Sequence, residues 1–524
     1  MIQFLQKKTA PLVTAMFLGL FLILPLWSGK PFSFSPFNAE AGFFSNDLEL
    51  FKEVVDLVGD KYIYPPDYKK MFTASIKKMV ETLGDENIIM TDNSDGQSIS
   101  RFDSTIQYKL DFNRQHDLEA FKKAYYFLLD KSEGKLSKEE LERGAVTGLM
   151  NSLDSYSRYM DADLFEKSMR DTEGKYGGLG MVITMKDNRL FVLKTMKNSP
   201  AARAGILSGD VFEKVNGTNV RNTQISELAD MLRGYPDTEV DISLYRFSDK
   251  LERTYTLTRE IIFIETVAYE TLKNNIGSVK ITSFSKQTNG QLKIALEKAK
   301  RDKVNGFILD LRDNPGGLLD QSVKVASHFL YRNRLIVYTQ GRKSTDRDEY
   351  RAKYNNSLHF MPVVILINQH SASAAEIVAG ALRDSGKALI LGENSYGKGT
   401  VQTIFRISDG SGLRLTTSKY YTPSGTDITA EGIVPEILII KDHISTDEPK
   451  SAENTRTKSF EYELGSLIRL KESEVKIFIN KNYNVITGSD PTFQFAKLLI
   501  ENVSVANKKK TLEKARELAA NIHY

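Results

Sequence analysis

The spacing of apolar positions changes along the chain, and each change marks a different kind of element. Residues 45–165 place them at helical intervals, as in Leu141, Ala145, Val146, Leu149 and Met150 behind a Ser137/Glu140 capping box. The pattern recurs at an offset of 70. Leu48-Glu-Leu-Phe-Lys52 matches Leu118-Glu-Ala-Phe-Lys122, and Leu83 and Met90 match Leu153 and Met160. A duplicated helical hairpin is predicted, with the polar stretch Thr91–Ser104 as the loop between copies.

From about residue 173 to 260 the period shortens to two. The runs Gly180-Met-Val-Ile-Thr184, Arg189-Leu-Phe-Val-Leu193 and Val240-Asp-Ile-Ser-Leu-Tyr245 predict strands separated by glycine turns. Ser199-Pro-Ala-Ala-Arg-Ala-Gly-Ile206, Gly209-Asp210 and Val215-Asn-Gly217 follow one another in an order that resembles a PDZ domain. That resemblance makes Tyr176-Gly-Gly-Leu-Gly-Met181 the loop whose N–H groups at Gly178, Leu179 and Gly180 hold a peptide carboxylate, while the peptide adds a strand to the sheet edge.

Residues 261–440 alternate apolar strands with amphipathic helices, the signature of an α/β core. Gly306-Phe-Ile-Leu-Asp-Leu311, Pro362-Val-Val-Ile-Leu-Ile367 and Ala388-Leu-Ile-Leu-Gly392 read as buried strands, and Asn314-Pro-Gly-Gly317 as a tight turn. Residues 445–524 are charged and helical in pattern, and read as a peripheral helical cap.

A chain of 524 residues, at roughly 150 per domain, is multidomain. Its 71 basic and 67 acidic residues nearly balance, which removes the case for nucleic acid as a partner. It has no cysteine, so disulfides, thiolate nucleophiles and cysteine metal sites are excluded; six histidines without His-Glu-x-x-His speak against a metal site or a cofactor held by one. At the start, Lys7-Lys8 precede an uncharged apolar stretch from Ala10 to Trp27, with Ala39-Glu-Ala41 beyond it. Residues 1–41 are therefore expected to be a cleaved export signal or a membrane anchor, which places the rest outside the cytoplasm.

The candidate chemistry lies in Gln369-His-Ser-Ala-Ser-Ala-Ala-Glu376 and Tyr396-Gly-Lys-Gly-Thr-Val-Gln402. Ser373 falls between an apolar strand and an amphipathic helix, where backbone N–H groups are unpaired. Serine needs a base, and lysine serves if burial lowers its pKa. Glycine-flanked Lys398 fits. If Lys398–Gln402 is one strand, Lys398, Thr400 and Gln402 share a face, and Gln402 can hold the lysine. Ala374 N–H and an N–H of Gly316 or Gly317 are candidates for an oxyanion hole. Ser371 reads as a helix cap, Asp384 as a helix end and a minor site candidate, and Glu376 as a carboxylate suited to the helix dipole. His370 is too close in sequence to Ser373 for triad geometry.

Taken in order, Leu153-Asp-Ser-Tyr-Ser157, Asp310-Leu-Arg-Asp-Asn-Pro-Gly-Gly317, Ser371-Ala-Ser-Ala-Ala-Glu376, Gly397-Lys-Gly-Thr-Val-Gln402, Tyr421-Thr-Pro-Ser-Gly425 and Glu431-Gly-Ile-Val-Pro435 resemble the carboxyl-terminal processing proteases of the S41 serine peptidase family, over roughly residues 115–440. The resemblance implies a PDZ domain (173–260) inserted ahead of a ClpP/crotonase-like α/β peptidase core (261–440); with the helical regions that the pattern predicts at 45–165 and 445–524, which have no clear counterpart in the family before about residue 115 or after about 445, the chain is expected to be multidomain α+β. It implies Ser373 as nucleophile, Lys398 as general base, Gln402 as its orienting partner and Asp384 as an occasional site member, with no cofactor. Substrates are then proteins with nonpolar C-terminal tails, in a bacterial periplasm or cell envelope, with an adaptor protein and a homo-oligomer as further candidate partners. The competing reading is a PDZ peptide-binding scaffold without catalysis. His370, where the family often has a small residue, and Ala375, where serine is common, depart from the pattern.

Overall fold

The computed structural model describes residues 48–93, 96–111, 113–355, 357–440, 468–483, 490–502 and 508–522. The apolar N-terminal stretch and Ala39-Glu-Ala41 lie outside these residues. Among the described residues no helix is long and apolar enough to cross a membrane.

The core is a seven-stranded sheet in the order 267–272, 276–281, 306–310, 363–367, 388–392, 437–440, 468–471. The first pair is an antiparallel hairpin; every later pair is parallel. Because side chains alternate across a strand, each buried strand feeds two cores. Phe307, Leu309, Val363, Ile365 and Ile367 pack beneath helices Thr288–Arg301, Leu319–Ser327 and Ala374–Asp384. Ile308, Val364, Leu366, Leu389 and Leu391 face the opposite way, onto Phe495, Leu498 and Leu499 of helix Pro491–Glu501. The C-terminal region is thus no peripheral cap. Its strand Ile468–Lys471 extends the sheet, and helices Glu472–Tyr483, Pro491–Glu501 and Lys508–Ile522 supply the second layer. A Cβ at Gly306 would come within 2.6 Å of Ile500 Cγ2, so that layer seats on backbone.

A second, five-stranded sheet contains 347–351, 335–340, 412–421 and 400–406, with Arg158–Met160 beside Gly412–Arg414. Strand Thr400–Arg406 is an edge of this sheet.

The N-terminal region holds helices Glu49–Lys61, Tyr68–Leu83, Arg114–Lys131 and Lys138–Asn151. Lys61 and Lys131, and Tyr68 and Lys138, are 70 residues apart (131 − 61; 138 − 68). Phe51 stacks on Phe121, its counterpart at the same offset, with ring centroids 4.0 Å apart. The expected loop at Thr91–Ser104 is instead an antiparallel meander of Ile88–Asn93, Gly96–Arg101 and Ser104–Tyr108. Its alternation, with Ile99 buried, is carried by polar residues that read as turn formers.

Between this region and the core, strands 251–258, 239–246, 211–215, 189–195 and 181–186 form an antiparallel sheet with helix Ile225–Leu232 beside its edge strand Met181–Lys186. The chain enters through Lys175–Gly178 and leaves through Glu260–Phe263, and these two strands pair with each other, Gly178 opposite Glu260. An inserted unit is thereby closed at its neck.

Candidate active site

Ser373 stands between strand Val363–Ile367 and helix Ala374–Asp384 with φ 55° and ψ −114°. A β-carbon residue at positive φ outside the usual wells is strained by an amount on the order of 1–3 kcal/mol. The surroundings impose it. Ser371 Oγ receives the Asn368 N–H at 3.0 Å and donates to Leu311 O at 2.8 Å, which staples the turn to the neighbouring strand end. Ser371 is therefore a staple, and its reading as a helix cap is corrected, since the helix begins only at Ala374. His370 is exposed.

Glu376 does more than suit the helix dipole. It is fully buried, and its carboxylate accepts four hydrogen bonds: Ser373 N–H (2.6 Å), Ser395 Oγ (2.5 Å), Gly397 N–H (2.7 Å) and Lys398 N–H (3.0 Å). Burial pushes its pKa up, against these four donors. One side chain thus ties the backbone at Ser373 to the backbone at Lys398.

The glycine turn lies against the serine. A Cβ at Gly316 would meet Ala372 O at 2.6 Å and Ser373 Cβ at 2.7 Å, and Gly316 and Gly317 have φ of 97° and 137°, a region that excludes other residues. Asn314 anchors the turn: its Nδ2 donates to Ile281 O (2.7 Å), its Oδ1 accepts Gly316 N–H (2.8 Å), and its carbonyl accepts Ala372 N–H (2.9 Å). Gly316 N–H is consequently spent, and of the two glycines Gly317 alone has an N–H without a hydrogen bond among the described residues.

Lys398 precedes strand Thr400–Arg406 rather than lying within it, and the register shifts between Val401 and Gln402. Of the expected common face of Lys398, Thr400 and Gln402, the side chains of Thr400 and Gln402 meet, while Lys398 lies outside the strand. Gln402 Nε2 turns back to Thr400 Oγ1 (2.8 Å) and Thr400 O (3.2 Å). Lys398 Nζ rests over the Tyr156 ring, 5.1 Å from its centroid. Among the described residues no hydrogen bond joins Nζ to Ser373 Oγ or to Gln402. Burial lowers the Lys398 pKa below the usual lysine value, and Arg414 and Arg158 add to this while Glu376 opposes it. Arg414 and Arg158 are cross-strand partners. Burial pushes the Tyr420 phenol up to about 12, with the neighbouring Ser373 hydroxyl working the other way.

Asp384 is not brought to this cluster. It ends the helix that follows Ser373, 11 residues or about 16 Å along, and accepts Ser424 N–H (3.1 Å) and Oγ (2.7 Å). Burial would raise its pKa, but Arg383 and the hydroxyls of Ser424 and Thr422 hold it below the usual range.

In the inserted unit, Leu179 is buried in the core and Gly180 takes φ 72°, its carbonyl accepting Met196 N–H (2.8 Å) and Ser199 Oγ (3.2 Å). The turn leads directly into the edge strand Met181–Lys186, whose Met181 and Ile183 pack on the core of the unit, as does Met231 of the adjoining helix. Arg259 at the neck fixes that helix, donating to Leu232 O (3.0 Å) and Met231 O (3.1 Å).

Sequence reasoning gave Tyr156, Arg158, Arg414, Asn314 and the bridging work of Glu376 no role. Glu376 had a signal, the Ser-x-x-Glu spacing from Ser373, and Tyr156 sits in one of the matched blocks.

A parallel strand-turn-helix carrying a strained serine, a half-buried lysine on the loop after the next strand and a β-rich insertion together define a peptidase with a peptide-binding module. The profile of peptidase family S41 matches residues 275–439, and that of the PDZ domain matches residues 191–246. The carboxy-terminal-processing protease of Bartonella bacilliformis is 41% identical over 306 residues, 57% of this chain and 70% of that protein. A probable CtpA-like serine protease of Staphylococcus haemolyticus is 32% identical over 423 residues, 76% of this chain and 84% of that protein. Among solved structures, the photosystem II D1 C-terminal processing protease aligns with 75% of this chain and 93% of its own, at 27% identity and a TM-score of 0.39. The chain belongs to peptidase family S41: it is a serine protease of the carboxy-terminal-processing group, with a PDZ domain inserted before the catalytic core.

Proposed function

We propose that the chain is an exported endopeptidase that takes the nonpolar C-terminal tail of a protein into its PDZ groove and hydrolyses a peptide bond upstream. Ser373 attacks the scissile carbonyl. Neutral Lys398 takes the Oγ proton and returns it to the leaving amine, and water then releases the acyl group by the same route. Ala374 N–H and Gly317 N–H hold the oxyanion, and Gln402, once released from Thr400, orients the lysine. Tail capture uses the N–H groups of the Gly178-Leu179-Gly180 turn and the edge of Met181–Lys186. Lys7-Lys8 with Ala10–Trp27 support export.

The observation that carries this reading is the buried Glu376 carboxylate, which binds the backbone of the strained serine and the backbone of the lysine at once. The test is cleavage of an unfolded protein bearing a nonpolar tail. Ser373→Ala and Lys398→Ala are each expected to abolish fragment formation, with tail-peptide binding intact by fluorescence anisotropy. Processing that survives Ser373→Ala overturns the reading.

A further inference from the structure

Lys398 has no ion pair among the described residues, although a buried carboxylate lies close by. The Glu376 oxygens are occupied by four donors, so they have little capacity left for the ammonium. What Nζ meets instead is the face of Tyr156. That ring is delivered rigidly. Asp154 accepts Tyr156 N–H (2.8 Å), Ser157 N–H (3.1 Å), Ser157 Oγ (2.7 Å) and Thr416 Oγ1 (3.1 Å), and Ser157 Oγ accepts Thr416 N–H (3.0 Å). The turn after helix Lys138–Asn151 is thus riveted to strand 412–421, the partner of the strand that follows Lys398.

We propose that Tyr156 is a positioning residue for Lys398, its ring face holding the lysine off the Ser373 hydroxyl in the resting enzyme. This rests on the Ser-Lys reading above. The physical basis is charge selectivity: an aromatic face attracts an ammonium and gains little from a neutral amine. The other groups facing Lys398 divide. Arg414 on strand 412–421 and Arg158 on strand 158–160 favour the neutral amine, as does burial, and Glu376 on the helix favours the ammonium. Tyr156 itself remains a phenol, since burial and then the adjacent Tyr396 phenol raise its pKa. The ring therefore retains the protonated lysine and releases it on deprotonation, the form that the base requires. Position and protonation are coupled in one contact.

The test compares the full chain with Tyr156→Phe and Tyr156→Leu. Lys398 is titrated by NMR of 13Cε-labelled lysine, assigned with Lys398→Arg, and kcat/KM for a short peptide is followed against pH. Tyr156→Phe keeps the ring face and should leave both curves in place. Tyr156→Leu should move the Lys398 titration and the acid limb down by about half a pH unit, the size of an aromatic contact of this kind, and should erase the ring-current displacement of the Lys398 side-chain signals. Coincident titrations for wild type and Tyr156→Leu, or equal shifts in both variants, overturn the proposal. The NMR titration reads the contact whether or not Lys398 is the base. Cleavage retained by Lys398→Ala would strike the Ser-Lys reading instead.

Discussion

Glu376 shows how much of a serine-protease site can be built on backbone. Oε1 serves Ser395 and Gly397, and Oε2 serves Ser373 and Lys398. Glu376→Gln keeps the shape but replaces one acceptor by an NH2, so two donors meet a third. We expect a loss of about 2–4 kcal/mol in urea unfolding and at least roughly a 100-fold fall in kcat, if a misplacement on the order of 1 Å follows. A Glu376→Gln enzyme with wild-type kcat would show that the two loops hold each other without the carboxylate. Arg414 acts on the lysine through charge. Arg414→Leu removes a positive neighbour, so the Lys398 pKa should rise and the acid limb of kcat/KM should move to higher pH, because the neutral amine then appears later. A limb that stays put, or moves down, removes Arg414 from this role. The placement of Ser373 at a strand-to-helix turn and of Lys398 between glycines was legible, since both are local patterns. The groups around them were not, because Glu376 finds Gly397 and Lys398 only through the fold, and Tyr156 reaches the site from more than 200 residues upstream (398 − 156).

At the level of elements, the core was legible where burial on both faces wrote continuous apolar strands, as in Val363–Ile367 and Ala388–Gly392. The C-terminal strand Ile468–Lys471 does alternate apolar and charged residues, but over only four positions next to a helical pattern, too short a run to mark sheet membership. Its consequence for the site runs through Asp490. That residue caps helix Pro491–Glu501 by accepting Phe493 N–H (3.0 Å) and pairs through Oδ2 with Arg312 Nη1 (2.5 Å). Arg312 also grips Asp310 through Nε (2.9 Å) and Nη2 (2.8 Å), directly before the Asp313–Gly317 turn. Asp490→Ala should cost about 1 kcal/mol or somewhat more as a lost cap. It should also lower kcat several-fold while leaving tail-peptide affinity unchanged. An unaltered kcat with the stability loss present would confine Asp490 to capping.

For the molecule as a whole, the question is how the PDZ unit and the core share a substrate. Between them lies a cavity of about 1280 Å³, lined by Phe165 and Met169 of helix Ala162–Glu173, Tyr235 and Ile261 of the inserted unit and its neck, and Ile404 and Arg406 of the edge strand. Lys398 lies two residues before the start of that edge strand, and the cavity lies at its other end, at Ile404 and Arg406. Two contacts border this cavity. The neck strands pair, and Lys167 Nζ meets Asp230 of helix Ile225–Leu232 at 3.1 Å. The ion pair is exposed and worth at most about 1 kcal/mol, weak enough to open on each turnover. The chain has no cysteine, so a Lys167→Cys/Asp230→Cys pair can be bridged specifically by a reducible bis-maleimide. If the units must part to admit a protein tail, bridging should cut processing of a full-length substrate by at least about tenfold. Reduction of the linker should restore it, and a short peptide that needs no PDZ capture should be cleaved throughout. Equal processing before and after reduction would mean that the substrate reaches Ser373 with the PDZ unit held against helix Ala162–Glu173.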